Sequence, residues 1–182
     1  MTMPSWLRKL VLTAHITASV GWMGAVAAFL ALALTGLNGQ DAFLVSGAYL
    51  AMDVMVTYVI VPLSIASLVS GLIQSLGTSW GLFRHYWVIA KLLITAVSTF
   101  LLLNHTQGVR YVAEVAAGMS LGSTDLRYLR EQLVVEAAGA IVALLATTLL
   151  SVYKPRGLTP YGWRKQREQR AAAADVATTR ST

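Results

Sequence analysis

The sequence contains no cysteine and few charged residues. None of its 182 residues is Cys, and only 12% are Asp, Glu, Lys or Arg, about half of the roughly 25% found in soluble domains. The absence of Cys excludes disulfides, zinc–thiolate sites, iron–sulfur clusters and thiol nucleophiles. Charge this sparse cannot cover the surface of a water-soluble domain, and 56% of the residues are hydrophobic.

Four long apolar segments account for most of the chain. They cover about residues 10–34, 50–76, 87–103 and 133–153, and about 20 apolar residues suffice for a helix to cross the hydrocarbon core of a bilayer. A cleaved signal peptide is the alternative for the first segment, although its apolar run is longer than a typical signal core. We therefore predict an all-α integral membrane protein, a four-transmembrane-helix bundle in residues 1–153.

The positions of Lys and Arg predict the orientation of these spans. Arg8 and Lys9 precede the first span, Arg84 precedes the third, and a basic tail of residues 154–182 follows the fourth. The positive-inside rule then places both termini in the cytoplasm of a bacterial cytoplasmic (inner) membrane. We expect the tail to be largely disordered and to lie near anionic lipid. This topology explains the net charge of +6 without a nucleic-acid partner.

The outer segment between the third and fourth spans contains apolar residues at helical spacing. Val109, Val112 and Ala116 predict a short interfacial helix that Gly118 and Gly122 end. Elsewhere, small residues form stripes on two spans, which lets membrane helices approach closely. Close packing of helices within the bundle is the simplest interpretation of these stripes. The alternative is that they form contacts in a homo-oligomer or a larger membrane complex. The stripes comprise Ala14, Ala18, Gly21, Ala25 and Ala28 in the first span and Gly139, Ala143 and Ala146 in the fourth.

Polar residues recur in steps of three and four along the second and third spans. Such stripes are expected to face each other and not lipid. Pro62 should kink the second of the four helices or free a backbone carbonyl in it. Lys91 lies about two turns inside the third span, where it either extends to the headgroups, binds an anionic group or pairs with a carboxylate. The stripes comprise Thr57, Ser64, Ser67 and Gln74 in the second span and Lys91, Thr95 and Ser98 in the third.

Three ionisable residues fall at one depth on three different helices. Counted from the cytoplasmic boundary at about 1.5 Å per residue, Asp53, His105 and Glu136 all lie about 27–32 Å away, near the outer surface. Carboxylate and imidazole ligands suit a divalent first-row metal, copper included, and also proton transfer. The alternative is that Asp53 and Glu136 mark the membrane interface and that His105 is exposed to water.

A second candidate site consists of His15 and His85 near the inner surface. Both lie near the starts of helices that run outward, and two histidines on facing helices can hold one haem b. The alternative is one packing histidine and one interfacial histidine.

Two stretches of sequence are similar to known membrane families. His15, Trp22 and Gly24 have the spacing His, six residues, Trp, any residue, Gly, which resembles the first helix of CopD-like bacterial proteins. That resemblance would make His15 a copper or haem ligand. The stretch 80–91, Trp-Gly-Leu-Phe-Arg-His-Tyr-Trp-Val-Ile-Ala-Lys, resembles a family of small four-helix membrane proteins that is frequent in actinobacteria. This second resemblance covers most of the chain up to Tyr153 and implies the fold without a mechanism.

These observations lead to three hypotheses of function. The first is a small polytopic membrane protein that handles an ion or metal through Asp53, His105 and Glu136. The second is a single-haem b-type electron-transfer protein that uses His15 and His85. The third is a non-catalytic accessory or assembly subunit of a membrane complex. A Gly-rich phosphate loop, a nucleophile elbow and an HExxH motif are all missing from the sequence, which favours a protein that is not an enzyme.

Overall fold

The computed structural model describes residues 3–77, 82–118, 124–154 and 157–180, and these form helices joined by short connections. A π-helical segment joins the second and third helices into one continuous rod. The helices are α1 (Ser5–Asn38), α2 (Ala42–Met55), the π segment (Val56–Ile60), α3 (Val61–Gly77), α4 (Tyr86–Ala117), α5 (Thr124–Tyr153) and α6 (Pro160–Arg180).

Four helical rods, namely α1, α2–π–α3, α4 and α5, are long and apolar enough to cross a membrane. Successive rods run in opposite directions. The Met3 amide lies 3.5 Å from the Gly77 carbonyl, the Ser46 hydroxyl donates to the Ala116 carbonyl, and Lys91 near the start of α4 donates to Ser151 near the end of α5. We call the end with Met3 and Gly77 the tail end, and the end with Ser46 and Ala116 the loop end. The rods form a bundle that fits the predicted membrane fold.

The helices extend beyond the apolar segments that predicted them. In particular, the residues expected to form a separate interfacial helix continue α4 without interruption to Ala117. Gly108 is the only glycine between the predicted end of the span and Ala117, and one glycine does not stop a helix. Gly118 is the C-cap, as predicted, and its amide donates to the Glu114 carbonyl. Gly122 lies outside the described residues.

Near Pro62 the helix departs from α-helical geometry in the π segment, which ends two residues before the proline. Proline has no amide hydrogen, and its ring collides with the carbonyl four residues earlier in a regular α-helix. Here the Val61 amide donates to the Val56 carbonyl, which lies five residues earlier in the chain and not four as in an α-helix. Such π-helical turns accommodate a disrupted hydrogen-bond pattern without ending the helix. The rod therefore stays continuous past Pro62.

The interior of the bundle is mainly apolar, and so is much of its surface. Trp22, Tyr49, Met52 and Val112 are at most 2% exposed and belong to one core cluster. Large apolar side chains also cover the outside, and a bundle in lipid has no need to hide them. Exposed examples are Phe43, Tyr58, Leu93, Phe100 and Val142. This arrangement fits a multi-pass membrane protein.

The basic tail, expected to be largely disordered, is helical over α6. Thr159 begins this helix, because its hydroxyl accepts from the Gly162 amide, and Pro160 occupies the first helical position that prolines favour. Thr159 also donates to the Phe83 carbonyl over 2.5 Å. The start of α6 is thereby attached to the segment before α4, at the tail end of the bundle.

Candidate functional site

Two of the three residues predicted to bind a metal lie together. His105 Nε2 on α4 lies 3.2 Å from Glu136 Oε1 on α5, and Gln132 Nε2 donates to the same oxygen over 2.6 Å. Asp53 does not join them, because no group of three or more His, Asp or Glu side chains in the described part of the chain could hold a metal ion. The shared depth predicted for the three residues does not bring them to one point, since helix rotation separates side chains at equal depth.

The His105 ring is in contact on both sides. Its Nδ1 lies 2.9 Å from the Leu101 carbonyl, which can only accept, so Nδ1 carries a hydrogen. Its Nε2 lies against Glu136, so the ring is held between its own helix and α5.

The His105–Glu136 pair lies in the wall of an apolar cavity of about 590 Å³. The walls come from α1, the π segment, α4 and α5, and they are mainly aliphatic and aromatic. We call this space the apolar cavity. Its lining includes Trp22, Phe29, Ile60, Leu101, Gly139 and Ala143, together with Ser98 from the predicted polar stripe.

A second cluster of polar side chains surrounds His15. His15 Nδ1 lies 3.1 Å from both the Ser67 carbonyl and the Ser70 hydroxyl, which fixes Nδ1 as the protonated nitrogen. Its Nε2 is then an acceptor and lies 3.4 Å from Lys91 Nζ. Lys91 Nζ also donates to the Ser151 hydroxyl over 2.7 Å. Four helices, α1, α3, α4 and α5, therefore meet at this cluster.

Lys91 and His15 line a cavity of about 650 Å³ whose charged side chains are all cationic. We call it the basic cavity. Besides Lys91, the cations in its wall are Arg8, Lys9 and Lys154, while Leu12, Leu68 and Leu92 supply apolar surface. Asp and Glu are absent from the described residues that line it. The sequence explains this imbalance, because it has no acidic residue in 1–40, 54–113 or 137–167.

Two further features of the basic cavity come from α3. Gln74 lines it, and the Gln74 side-chain oxygen is buried without a hydrogen-bond partner among the described residues. Buried polar atoms normally have a partner, so this acceptor is suited to a ligand that carries a donor. Gly71 gives His15 room, since a Cβ there would lie 3.0 Å from His15 Cε1.

Only some residues of the two predicted polar stripes lie together in the structure. Ser67 and Gln74 from α3 and Lys91 and Thr95 from α4 line the same basic cavity, as two facing stripes should. Ser67 also contacts α1, where its hydroxyl lies 2.8 Å from the Ser19 hydroxyl. The remaining members lie elsewhere, with Ser64 fully buried, Thr57 half-buried in the π segment and Ser98 in the apolar cavity.

The two histidines proposed for haem binding have different surroundings. Both ring nitrogens of His15 are already engaged, Nδ1 by α3 and Nε2 by Lys91. His85 immediately precedes α4, where it pairs with Leu158 in an isolated β-bridge and its ring lies 6.3 Å from that of Trp87. A haem would have to displace Lys91 from His15, so haem binding stays a prediction that the geometry does not favour.

The basic cavity also contains residues that we did not single out as site residues. Arg8, Lys9 and Lys154 were interpreted only as indicators of topology, and Ser151 was not considered. The available signal was the combination of cations at the tail-end termini of three apolar segments with no acidic residue nearby in the sequence. Family models, curated proteins and solved structures were compared with this chain, and none matches it. The arrangement of cations and hydroxyls is chemically suited to holding an anionic group.

Proposed function

We propose that this protein is a multi-pass protein of a bacterial cytoplasmic membrane that binds an anionic phosphate or carboxylate group in the basic cavity. Lys91 is the main donor to that group, and His15 and Ser151 hold the Lys91 side chain in position. The observation that supports this proposal most directly is the placement of Lys91 Nζ between His15 and Ser151, in a cavity whose described lining residues include cations but no Asp or Glu.

Charge balance favours an anion over the metal cation proposed from the sequence. Lys91 is half-buried in the wall of the basic cavity, and Arg8 and Lys9 are exposed where they line it. An anion attracts these cations, and an ammonium group forms its strongest hydrogen bonds with anionic oxygens. The apolar cavity, in contrast, offers only two metal-ligating side chains.

The proposed membrane orientation places the basic cavity next to anionic lipid. With both termini in the cytoplasm, the tail end faces the inner leaflet, whose negative surface attracts basic segments. Exposed Arg164, Lys165 and Arg167 on α6 lie at this same end. Apolar residues such as Leu12 and Leu92 in the cavity wall suit the acyl chains of a lipid. A lipid headgroup and a soluble anion share the chemistry that this site recognises.

Two binding measurements distinguish these sources. The purified protein is placed in nanodiscs of phosphatidylcholine, and inorganic phosphate binding is measured by calorimetry. In parallel, native mass spectrometry measures the retention of phosphatidylglycerol relative to phosphatidylcholine. Preferential retention of phosphatidylglycerol indicates a lipid ligand, and phosphate binding without that preference indicates a soluble one. We expect Lys91→Met to reduce whichever binding occurs by at least about tenfold, since charged hydrogen bonds contribute about 1.5–3 kcal/mol.

Lys165→Met is the matched control. Lys165 is exposed on α6 and forms an ion pair with Glu168 on the same helix. This variant should bind like the wild type. The proposal is wrong if neither ligand binds preferentially, or if Lys91→Met and Lys165→Met have equal effects.

A further inference from the structure

The cations of the basic cavity lie at two depths. Lys91 contacts His15 and Ser151 in the interior of the bundle, and we call these three residues the deep layer. Arg8 and Lys9 line the same cavity but precede His15 on α1 by about two helical turns. They therefore lie about 10 Å closer to the tail end, and we call them the mouth layer.

The charges of the two layers stay apart while they face one cavity. Arg8 and His15 are separated by nearly two whole turns of α1, so both lie on the same face of that helix. The contacts with His15 and Ser151 hold the Lys91 side chain in the deep layer. Arg8 and Lys9, in contrast, are exposed. The cavity therefore has one cation in its interior and two further cations nearer its tail end.

The mouth layer has no anion of its own. Among the described residues, Arg8 and Lys9 form no ion pair. The sequence also has no acidic residue in 1–40 or 54–113, the stretches that supply most of the cavity wall. A single phosphate group bound at Lys91 would lie about two helical turns from the mouth layer and would leave those two cations unpaired. A ligand with a second anionic group can contact both layers.

Apolar side chains in the cavity wall favour a lipid over a soluble molecule with two phosphates. Leu12 and Ile16 on α1 line the cavity and are 42% and 52% exposed. Acyl chains would remove this surface from contact with polar groups, whereas a sugar or another polar bridge would not. Basic pockets between membrane helices near the cytoplasmic side are also typical sites for lipids that carry several phosphates.

We propose that the basic cavity binds a lipid with two phosphate groups joined by a short bridge, of the cardiolipin type. One phosphate accepts a hydrogen bond from Lys91 in the deep layer, and the other lies against Arg8 and Lys9 in the mouth layer. This inference concerns binding alone. It rests on the proposed function, because it assigns a ligand class to the same cavity.

Native mass spectrometry of the full chain tests this assignment. The purified protein is placed in nanodiscs that contain equal molar amounts of tetraoleoyl cardiolipin, dioleoyl phosphatidylglycerol and dioleoyl phosphatidylcholine, and the retained lipids are counted. We expect cardiolipin to be retained about tenfold better than phosphatidylglycerol, since each exposed ion pair contributes up to about fivefold in affinity. Equal retention of the two anionic lipids would overturn the proposal.

A double variant, Arg8→Gln with Lys9→Gln, separates charge from acyl chains. We expect it to lower the preference for cardiolipin over phosphatidylglycerol at least about fivefold, because only the second phosphate loses its partners. A preference that the folded variant retains in full would come from the additional acyl chains and would overturn the proposal. Lys165→Met, which changes an exposed cation of α6, should keep the wild-type preference.

Thermal unfolding shows whether each variant is folded. If the double variant fails to fold, Arg8→Gln decides alone, because Arg8 shares its face of α1 with His15. Loss of positive charge near the start of α1 does not complicate the measurement, since both faces of a nanodisc are open to the solution.

Calorimetry in phosphatidylcholine nanodiscs tests a soluble ligand with two phosphates. Fructose 1,6-bisphosphate is compared with fructose 6-phosphate, which lacks one of them. We expect neither sugar phosphate to displace bound cardiolipin at equal concentration. Binding of the bisphosphate that depends on Arg8 and Lys9, without preferential retention of cardiolipin, would overturn the assignment to a lipid.

Lys91→Met distinguishes failure of this inference from failure of the proposed function. It should reduce the retention of cardiolipin and of phosphatidylglycerol alike, because both place a phosphate in the deep layer. If phosphatidylglycerol binding depends on Lys91 but cardiolipin is not preferred, the inference fails and anion binding stands. If neither lipid is retained over phosphatidylcholine and phosphate does not bind, the proposed function fails as well.

Discussion

Arg130 Nε donates to the Tyr49 hydroxyl over 2.8 Å, and the guanidinium carbon lies 5.5 Å from the centre of the Tyr49 ring. The same guanidinium donates to the carbonyl of Gly36, close to the end of α1. Arg130 on α5 therefore connects the C-terminal end of α1 with α2 at the loop end of the bundle. A cation at a helix C-terminus also interacts favourably with the helix dipole.

Replacing Arg130 with Gln should lower the stability of the bundle. The change removes hydrogen bonds from the Tyr49 hydroxyl and from the carbonyl of Gly36, for which we expect a loss of about 1–3 kcal/mol. Thermal unfolding in one detergent measures the effect. Arg127→Gln is the control, because Arg127 is exposed and pairs with Glu131 on its own helix, an interaction of about 0.3–0.5 kcal/mol. Equal losses in the two variants would show that Arg130 has no special role.

Gly36→Ala should destabilise the same contact by steric overlap. A Cβ at Gly36 would lie 2.6 Å from Tyr49 Cζ, and Tyr49 is 1% exposed with no room to move. Gly47→Ala in α2 is the control, since a Cβ there meets nothing within 4 Å, and alanine is the better helix former by up to about 1 kcal/mol. We therefore expect a lower melting temperature for Gly36→Ala and an unchanged or higher one for Gly47→Ala.

The sequence predicted the helices well and the contacts between them poorly. Hydrophobic length alone indicates four spans, and Pro62 indicates the place where the second rod departs from α-helical geometry. The contact of Arg130 with Tyr49, in contrast, depends on the rotation of α5 relative to α2, which hydropathy does not contain. For the same reason depth alone does not decide which side chains meet: His105 and Glu136 are in contact, whereas Asp53 forms no three-residue group with them among the described residues.

Gly71→Ala tests whether the position of His15 matters for anion binding. A Cβ at Gly71 would lie 3.0 Å from His15 Cε1, so the ring must shift, and the geometry of its contact with Lys91 must change with it. We expect weaker phosphatidylglycerol or phosphate binding with the fold retained. Gly24→Ala on α1, where a Cβ meets nothing within 4 Å, should bind like the wild type. Unaltered binding by Gly71→Ala would show that His15 does not position Lys91.

The metal hypothesis is tested by Asp53→Asn. His105 and Glu136 supply two ligands, whereas zinc sites use three or four from the protein. We therefore expect Zn²⁺ to change the melting temperatures of the wild type and Asp53→Asn to the same extent. A zinc-dependent stabilisation that Asp53→Asn abolishes would restore the three-residue site. Elemental analysis and an absorption spectrum of the purified protein test bound metal and haem directly.

The proposed orientation can be tested with single cysteines, because the natural chain has none. Gln40 is exposed between α1 and α2 at the loop end, and Arg167 is exposed on α6 at the tail end. If both termini are cytoplasmic, a membrane-impermeant maleimide added to intact spheroplasts should label Gln40→Cys but should label Arg167→Cys only after lysis. The reverse pattern would place the basic cavity at the outer leaflet. Lipid of the inner leaflet could then no longer be its source of anions, although the charge of the cavity would still favour a soluble one.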